Sequence, residues 1–244
     1  MQQSIRHVDN AFTNFFRQKH KFPRFKSKKF NRKSYTLPNQ TKVNFEKHKI
    51  QILKFKEGIN FRVDRTFEGK IKSCTIKQTP TNKYFISILV DTSDEIPAKP
   101  KIEEKMAIGI DLGIKDFAIL STGEKIANQK NLKTLLPRLK VLQKRASKKV
   151  IGSNNRRKAN LKVALCHEKI ANRRKDFLHK LSHRLTHENQ VNTLCLETLN
   201  VSGMIKNHKL AQSISDASWS EFNRQLEYKS EWYGKNIIRI GRVS

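Results

Sequence analysis

Two acidic residues lie at the ends of apolar segments that are typical of buried strands. Asp111 follows the apolar residues 107–110, and Glu197 follows the apolar residues 194–196. An unpaired buried carboxylate is costly, so each acid is expected either to pair with a cation or to hold a metal ion. Mg²⁺ and Mn²⁺ prefer oxygen ligands, and two such ions about 3.5 to 4 Å apart support phosphodiester hydrolysis. The alternative is a structural ion pair with one of the many lysines and arginines.

The second half of the chain must bring these two acids together. Apolar runs predict strands at residues 106–114, 116–122, 124–128, 191–197 and 236–240. Spacings of three and four predict helices at residues 131–150, 156–188 and 213–233, the last with Trp219, Phe222 and Trp232 as core anchors. Three strands, a helix, a strand, a helix and a strand, with acids on the first and fourth strands, is the order of ribonuclease H-like nucleases. If these two strands are neighbours, both acids emerge at the same end of the sheet.

The first half of the chain has a different pattern. Residues 4–17 have helical spacing, and residues 17–33 form a basic loop with nine lysines and arginines and three interleaved phenylalanines. From residue 34 to 91, apolar and polar residues alternate, which predicts five or six short antiparallel strands. Residues 42–45, 49–55, 59–63, 70–79 and 83–90 are the clearest of them. The expected product is a small β-barrel or curved sheet, followed by a linker and a domain boundary near residue 100.

The charge of the chain favours a polyanionic partner. The formal net charge is +30, and between Arg138 and Arg184 there are sixteen basic residues against two acids. Such self-repulsion is relieved by nucleic acid, whose phosphates take the cations while flat rings stack on bases. The alternative for each basic stretch is a solvated surface. The candidate contacts are Arg24, Lys26, Lys28, Lys29, Arg32, Lys33, Arg156, Arg157, Lys158, Arg173, Arg174 and Lys175.

Several other classes of protein are disfavoured. No apolar run is long enough for a membrane span, and the N-terminus lacks the apolar region of a signal peptide, so a cytoplasmic location without membrane contact is expected. The three cysteines form no CxxC pair, which argues against a disulfide framework and a zinc ribbon. His179, His183 and His187 share one helix face, where RNA contact is favoured over zinc. Asp216 is interpreted as the N-cap of a helix.

Longer segments resemble a known family. Residues 109–126 (GIDLGIKDFAILSTGEKI), residues 196–234 and residues 22–29 (FPRFKSKK) resemble the TnpB (OrfB) proteins of bacterial insertion sequences. These are RNA-guided DNA endonucleases. The resemblance implies a wedge-type β-barrel with a helical recognition insert, then a RuvC-like nuclease domain of the ribonuclease H fold. It also implies Mg²⁺ or Mn²⁺ as the metal and, as partners, a guide RNA from the transposon end and a target DNA. Asp111 matches the first catalytic acid and Glu197 the second.

The resemblance assigns three regions and predicts what they lack. Residues 1–33 match a remnant of the recognition lobe with its basic loop, residues 34–100 the barrel, and residues 101–244 an incomplete RuvC-like domain. The family's zinc ribbon and last helix, which bears a third catalytic Asp, find no match, so zinc is not expected. A chain truncated at both ends is therefore expected, with weak or absent DNA cleavage. Asp116 and Asp216 are the other acids that could replace the third Asp, and neither is expected to do so.

Three functions remain open at this point. The first is a transposon-encoded, RNA-guided endonuclease of the TnpB type, truncated and weakly active or inactive. The second is a nuclease-dead RNA- and DNA-binding protein that acts by occupancy, as a repressor does. The third is a pseudogene product. Retention of both acids favours the first, because a protein that only binds has no use for them.

Overall fold

The computed structural model describes residues 2–25, 33–38, 41–52 and 55–241. Its contacts divide the chain into an N-terminal unit, Met1–Asp94, and a C-terminal unit, Glu95–Ser244. Within the described ranges, no helix combines the length and the apolar character that crossing a bilayer requires. The three-region assignment made from the sequence stays a prediction.

The N-terminal unit begins with the predicted helix. Helix α1 spans Gln2–Phe16, close to the predicted residues 4–17. The Phe22 ring packs edge-on against Phe12 and Phe15, with ring centroids 5.8 and 5.3 Å apart. This aromatic cluster places the start of the basic loop against the helix.

Six strands follow and form two antiparallel sheets. The strands are β1 Ser34–Pro38, β2 Lys42–Asn44, β3 Lys49–Ile52, β4 Phe55–Asn60, β5 Lys70–Gln78 and β6 Tyr84–Asp91. One sheet has the order β1-β5-β6 and the other β2-β3-β4. Ile50, Ile52 and Cys74 are buried in one core to which both sheets contribute. The described strands therefore form two open sheets over a shared core, and they do not close into the expected barrel.

The strand boundaries also differ from the prediction. The segment at residues 49–55 was expected to be one strand, but β3 ends at Ile52 and β4 begins at Phe55, and these two residues are paired. The strand predicted at residues 59–63 ends at Asn60. The alternation of apolar and polar residues in the sequence runs on from β3 into β4, so the pattern alone does not show where one strand ends and the next begins.

The C-terminal unit is built on one mixed sheet. Its strands are β7 Ala107–Leu112, β8 Asp116–Leu120, β9 Lys125–Ala127, β10 Thr193–Glu197 and β11 Asn236–Ile240. Their order is β11-β10-β7-β8-β9. Strand β10 pairs in parallel with both β7 and β11, whereas β7, β8 and β9 form an antiparallel meander. The first and fourth strands, β7 and β10, are thus neighbours, which is the condition under which both acids were expected to emerge at the same end of the sheet.

Helices cover one face of this sheet. A short 3₁₀ turn, Glu104–Met106, precedes β7, and the helices are α2 Asn131–Ser147, α3 Asn154–His183, α4 Val201–Met204, α5 Ala211–Ala217 and α6 Trp219–Trp232. A π-helical turn, Arg184–Glu188, extends α3. Leu178 and Leu181 of α3 and Leu226 of α6 pack with Ile110 and Leu196 of the sheet. The opposite face of β7 and β10 is left open by the described helices.

Three expectations about the last helices were wrong. The helix predicted at residues 213–233 is two helices, because Ser218 between them has a left-handed backbone with φ of 55°. Asp216 lies in the last turn of α5, so it is not an N-cap. Trp219 and Phe222 are buried as predicted, but Trp232 is 60% exposed at the end of α6. Helical spacing alone does not show where the core ends.

Candidate active site and basic surfaces

Asp111 and Glu197 lie side by side on two neighbouring parallel strands. The β7–β10 register pairs Ile110 with Leu196, so one further residue along each strand brings Asp111 next to Glu197. Neighbouring strands are about 4.8 Å apart. Because Ile110 and Leu196 point into the core, the next residue of each strand points to the open face. The sequence prediction that the two acids would meet at one end of the sheet is therefore confirmed for their backbone positions.

Both acids line a single cleft of about 370 Å³. Ile119 of β8 is the register partner of Asp111, and Ile240 of β11 is that of Glu197, so four neighbouring strands form one row across the cleft. The remaining lining residues are Gly109, Ile110, Leu120, Ser121 and Cys195. Ser121 is held beside Gly109, because its hydroxyl accepts a hydrogen bond from the Gly109 amide at 3.0 Å. Two carboxylates thus stand at the edge of a largely apolar, open depression.

The burial expected for Asp111 was wrong. Asp111 is exposed and Glu197 is half-buried, although their neighbours along each strand are buried. Alternation explains the difference, since Ile108, Ile110 and Leu112 fill the core while Asp111 points away from it. The desolvation argument for a cation partner therefore does not apply to Asp111.

The two acids are not used in structural ion pairs of the described residues. The ion pairs of the C-terminal unit, within its described part, use the carboxylates of Glu124, Asp176, Glu188, Asp216, Glu221 and Glu227. Asp111 and Glu197 take part in none of them. With respect to the described residues, the oxygens of both acids are thus available to bind a cation in the cleft.

The donor set fits a hard divalent cation. Mg²⁺ is commonly held by one or two carboxylates, with water and phosphate oxygens completing its coordination, and Mn²⁺ suits the same ligands. Among the described residues, no group of three or more His, Cys, Asp and Glu side chains could hold a metal ion. Asp116 does not line the cleft, and Asp216 is paired with Arg174 elsewhere. The described cleft thus offers two carboxylate ligands.

The predicted basic contacts occupy different environments. Lys26, Lys28, Lys29 and Arg32 lie outside the described residues, whereas Arg24 and Lys33 are exposed in the N-terminal unit. Of the predicted contacts on α3, Arg157, Lys158, Arg173 and Lys175 are exposed.

Two of the predicted arginines are engaged within the protein. The Arg156 guanidinium donates to the Lys149 carbonyl at 2.8 Å, which ties the start of α3 to the α2–α3 loop. Arg174 donates to the Asp216 carboxylate at 2.9 Å, and its side chain is only 25% exposed. We therefore expect Arg156 and Arg174 to hold α3 in place. The exposed cations of α3 should contact phosphates more readily than these two arginines.

Among the described residues, His179, His183 and His187 belong to no group of side chains that could hold a metal ion. His183 and His187 stack with ring centroids 4.7 Å apart, and the Tyr233 ring packs edge-on against His187 at 4.8 Å. The His183 Nδ1 atom lies 3.3 Å from the Glu188 carboxylate. Burial, together with the nearby charge of Lys229, lowers the pKa of His179. Their contact with RNA stays a prediction.

A buried polar network between α3 and α6 was missed from the sequence. Lys229, only 7% exposed, donates to the His179 carbonyl at 2.9 Å and to the Ser182 hydroxyl at 2.8 Å. Ser182 in turn donates to the Gln225 side chain, which donates to Glu221. Burial lowers the pKa of Lys229. A lysine among serines and glutamines is typical of an exposed helix face, so the sequence carries no signal for this network.

Comparisons of the sequence with known proteins show which proteins this chain resembles. A family model described as probable transposase, that of the OrfB proteins, matches residues 86–208. A "Putative RNA-guided DNA endonuclease" of Streptomyces pristinaespiralis is 41% identical over 99% of this chain and 59% of its own length. The "Putative RNA-guided DNA endonuclease InsQ" of Escherichia coli K12 is 30% identical over 98% of this chain and 61% of its own length. The chain thus spans about three fifths of the length of these curated relatives.

Among solved structures, a CRISPR-Cas12f ternary complex contains a similar chain. The likeness covers 72% of this chain and 36% of that one, with 17% sequence identity and a TM-score of 0.44.

Proposed function

The chain belongs to the TnpB/OrfB family of probable transposases, and from this premise we propose that it takes part in RNA-guided, metal-dependent cleavage of DNA. The observation that carries the proposal is the placement of Asp111 and Glu197 on adjacent parallel strands, lining one cleft. In this proposal the C-terminal unit is the RuvC-like nuclease domain, and the two open sheets of the N-terminal unit are its wedge-like nucleic-acid-binding domain.

The proposed chemistry assigns a role to each acid. Asp111 and Glu197 would hold Mg²⁺ or Mn²⁺ through their carboxylate oxygens. Bound divalent ions activate water and stabilise the leaving oxygen in phosphodiester hydrolysis. Because the cleft is on the open face of the sheet, a DNA strand can approach both carboxylates without displacing a helix. The apolar floor at Ile119 and Ile240 limits the number of competing polar ligands.

Recognition would be divided between guide and protein. Base pairing with a guide RNA reads the target sequence, while the protein holds the shape and backbone of the heteroduplex. The exposed cations of α3, including Arg157, Lys158, Arg173 and Lys175, suit the phosphate backbone. The names of the two curated relatives support guide RNA and target DNA as partners.

We expect cleavage by the 244-residue chain itself to be slow or absent. The described cleft holds two carboxylates, and incomplete catalytic sets lose orders of magnitude in rate. This observation also favours a second candidate function, in which the chain binds RNA and DNA without cutting and acts by occupancy.

Manganese binding tests the metal site directly. We expect Asp111→Asn and Glu197→Gln each to weaken Mn²⁺ affinity by about tenfold or more, measured by electron paramagnetic resonance of free Mn²⁺. Asp116→Asn is the matched control, because Asp116 lies on the same sheet but outside the cleft, and it should change the affinity less than about twofold. Equal Mn²⁺ binding by all four proteins would overturn the metal assignment.

A cleavage assay separates the two candidate functions. Labelled DNA matched to a guide RNA is incubated with the chain and Mg²⁺. Cleavage that Asp111→Asn abolishes supports the nuclease. Tight RNA binding that Asp111→Asn leaves unchanged, with no cleavage by either protein, supports the binder.

A further inference from the structure

A second cavity, of about 670 Å³, lies in the C-terminal unit away from the carboxylate cleft. It shares no lining residue with that cleft. Four lysines line it: Lys115 from the β7–β8 turn, Lys130 and Lys133 from the start of α2, and Lys209 from the segment before α5. Its volume is within the range of sites that bind small organic groups. None of these four lysines was a candidate in the sequence analysis.

The residues that line the cavity do not neutralise the positive charge of its four lysines. The carboxylate among its lining residues is Asp216, which accepts a hydrogen bond from Arg174 at 2.9 Å and another from the Leu132 amide at 2.8 Å. The lysine side chains are exposed, and the ion pairs of the described residues include none of the four. Helix α2 begins here, so the positive end of its dipole adds to the same field. The cavity thus favours an anion.

The other residues that line the cavity can contact an organic group as well as an anion. Ile114, Leu136 and Leu210 provide an apolar surface, and Leu210 is 41% exposed. Gln212 and Ser213 present an amide and a hydroxyl to the same space. Apolar walls with a few polar groups are typical of sites that hold a flat organic ring in one orientation.

The geometry points to a pocket for one unstacked nucleotide of a single-stranded nucleic acid. Its base lies against Ile114, Leu136 and Leu210, and its edge contacts Gln212 and Ser213. The flanking phosphates contact the lysines. This inference rests on the proposed nucleic-acid-binding function and adds a place where a single base is held.

The arrangement of the cations favours a strand over a free nucleotide. The lysines come from three separate segments of the chain, the β7–β8 turn, the start of α2 and the segment before α5, so the positive charge is not confined to one element. A strand has phosphates on both sides of each base, whereas a free nucleotide has its charge at one end. Single-stranded nucleic acids are commonly bound by such a combination of cations and ring-binding surfaces.

Photocrosslinking shows where a strand is held. A fluorescein-labelled 12-nucleotide RNA containing 4-thiouridine, and a DNA of the same sequence containing 4-thiothymidine, are each irradiated with the full chain. Crosslinked peptides are then identified by mass spectrometry. We expect crosslinks within residues 205–216 and 128–136. Crosslinks confined to α3 would overturn the pocket, and the RNA and DNA arms decide which strand it prefers.

Binding measurements test the lysines. Lys133→Ala/Lys209→Ala removes two cations of the cavity, and Lys140→Ala/Lys144→Ala is the matched control, because both residues are exposed on α2 outside the cavity. For single strands, loss of two phosphate contacts lowers the salt dependence of log K by about 1.4 and weakens binding about 25-fold at 0.1 M salt. We expect this change, and loss of the cavity crosslinks, in the cavity variant. The control should retain the cavity crosslinks.

The outcomes separate the pocket from the proposed function. If the wild-type chain binds neither strand, both fail. If it binds a strand and the cavity variant binds and crosslinks as wild type does, only the pocket fails. If micromolar ADP abolishes the cavity crosslinks, the site is one for a free nucleotide and the strand assignment is wrong.

Discussion

Asp216 joins three helices of the C-terminal unit, so its removal should destabilise that unit strongly. Its carboxylate, on a side chain only 8% exposed, accepts from the Arg174 guanidinium at 2.9 Å and from the Leu132 amide at 2.8 Å. Leu132 is in the first turn of α2, whose N-cap residue Lys130 makes no capping hydrogen bond of its own. A residue of α5 therefore caps α2 and neutralises a cation of α3.

The expected decrease in the free energy of unfolding for Asp216→Ala can be estimated from these two contacts. Loss of a helix-capping hydrogen bond costs about 1 kcal/mol. Leaving a buried arginine without its partner costs about 3 to 5 kcal/mol, and about 1 to 3 kcal/mol is appropriate here because Arg174 is 25% exposed. The free energy of unfolding should therefore fall by about 2 to 4 kcal/mol, which lowers Tm by roughly 4 to 16 °C in a unit of this size.

Urea unfolding followed by circular dichroism at about 222 nm, a helix signal, measures this loss. Asp176→Ala is the matched control. Asp176 also pairs with a helical cation, Lys180, but the two side chains are 63% and 76% exposed, so the loss should stay within about 0.5 kcal/mol. Asp216→Asn keeps an acceptor for the Leu132 amide and should lose less than Asp216→Ala. Because Arg174 and Asp216 are in contact, Arg174→Ala/Asp216→Ala should cost less than the sum of the single variants.

Two results would refute this reasoning. If Asp216→Ala lowers the free energy of unfolding no more than Asp176→Ala does, the contacts of Asp216 with Arg174 and Leu132 do not hold the helices together. Strict additivity of the Arg174 and Asp216 variants would show that the two side chains do not interact.

Two further predictions concern pH and backbone geometry. Hydrogen bonds from Arg224 lower the pKa of Glu221 from 4.5 to about 2, so its contribution to stability is present above pH 4.5 and is lost as the pH falls toward 2. The urea midpoint should therefore fall more steeply between pH 5 and 2 in wild type than in Glu221→Gln, and parallel profiles would contradict the assignment. Gly69 has φ of 119°, and a Cβ there would lie 2.3 Å from the Asp91 carbonyl oxygen. Gly69→Ala should thus lower the unfolding free energy of the N-terminal unit by at least about 1 kcal/mol more than Gly58→Ala, whose Cβ has room at 3.4 Å. Equal losses in thermal unfolding would argue against the close approach.

Much of the secondary structure could be predicted from the sequence. The apolar runs of β7, β8, β10 and β11 are long relative to their polar surroundings, and burial on a sheet is what such runs require. Helices α2 and α3 were predicted for the same reason, since their apolar residues recur every three or four positions. The predicted boundaries were wrong where the same apolar periodicity continues from one element into the next, as from β3 into β4 and across Ser218.

The candidate site was predicted in part. Asp111 and Glu197 were identifiable because each is an acid in an apolar strand, and the strand order then brought them together. The sequence predicted that both acids are buried, and this was wrong for Asp111. The apolar neighbours of a strand residue point to the other face of the sheet, so they do not show that the residue itself is buried. The catalytic role of both acids stays a proposal.

The amino-acid sequence by itself determined where most strands and helices form, the excess of positive charge and the two acids that stand out from apolar surroundings. These are local properties, carried by hydrophobic period and composition. Only the tertiary structure decided that Asp216 caps a helix 84 residues away in the chain, that Lys229 is buried, and that Lys115, Lys130, Lys133 and Lys209 line one cavity. Contacts between distant segments depend on strand register and helix packing, and no single stretch of sequence encodes these.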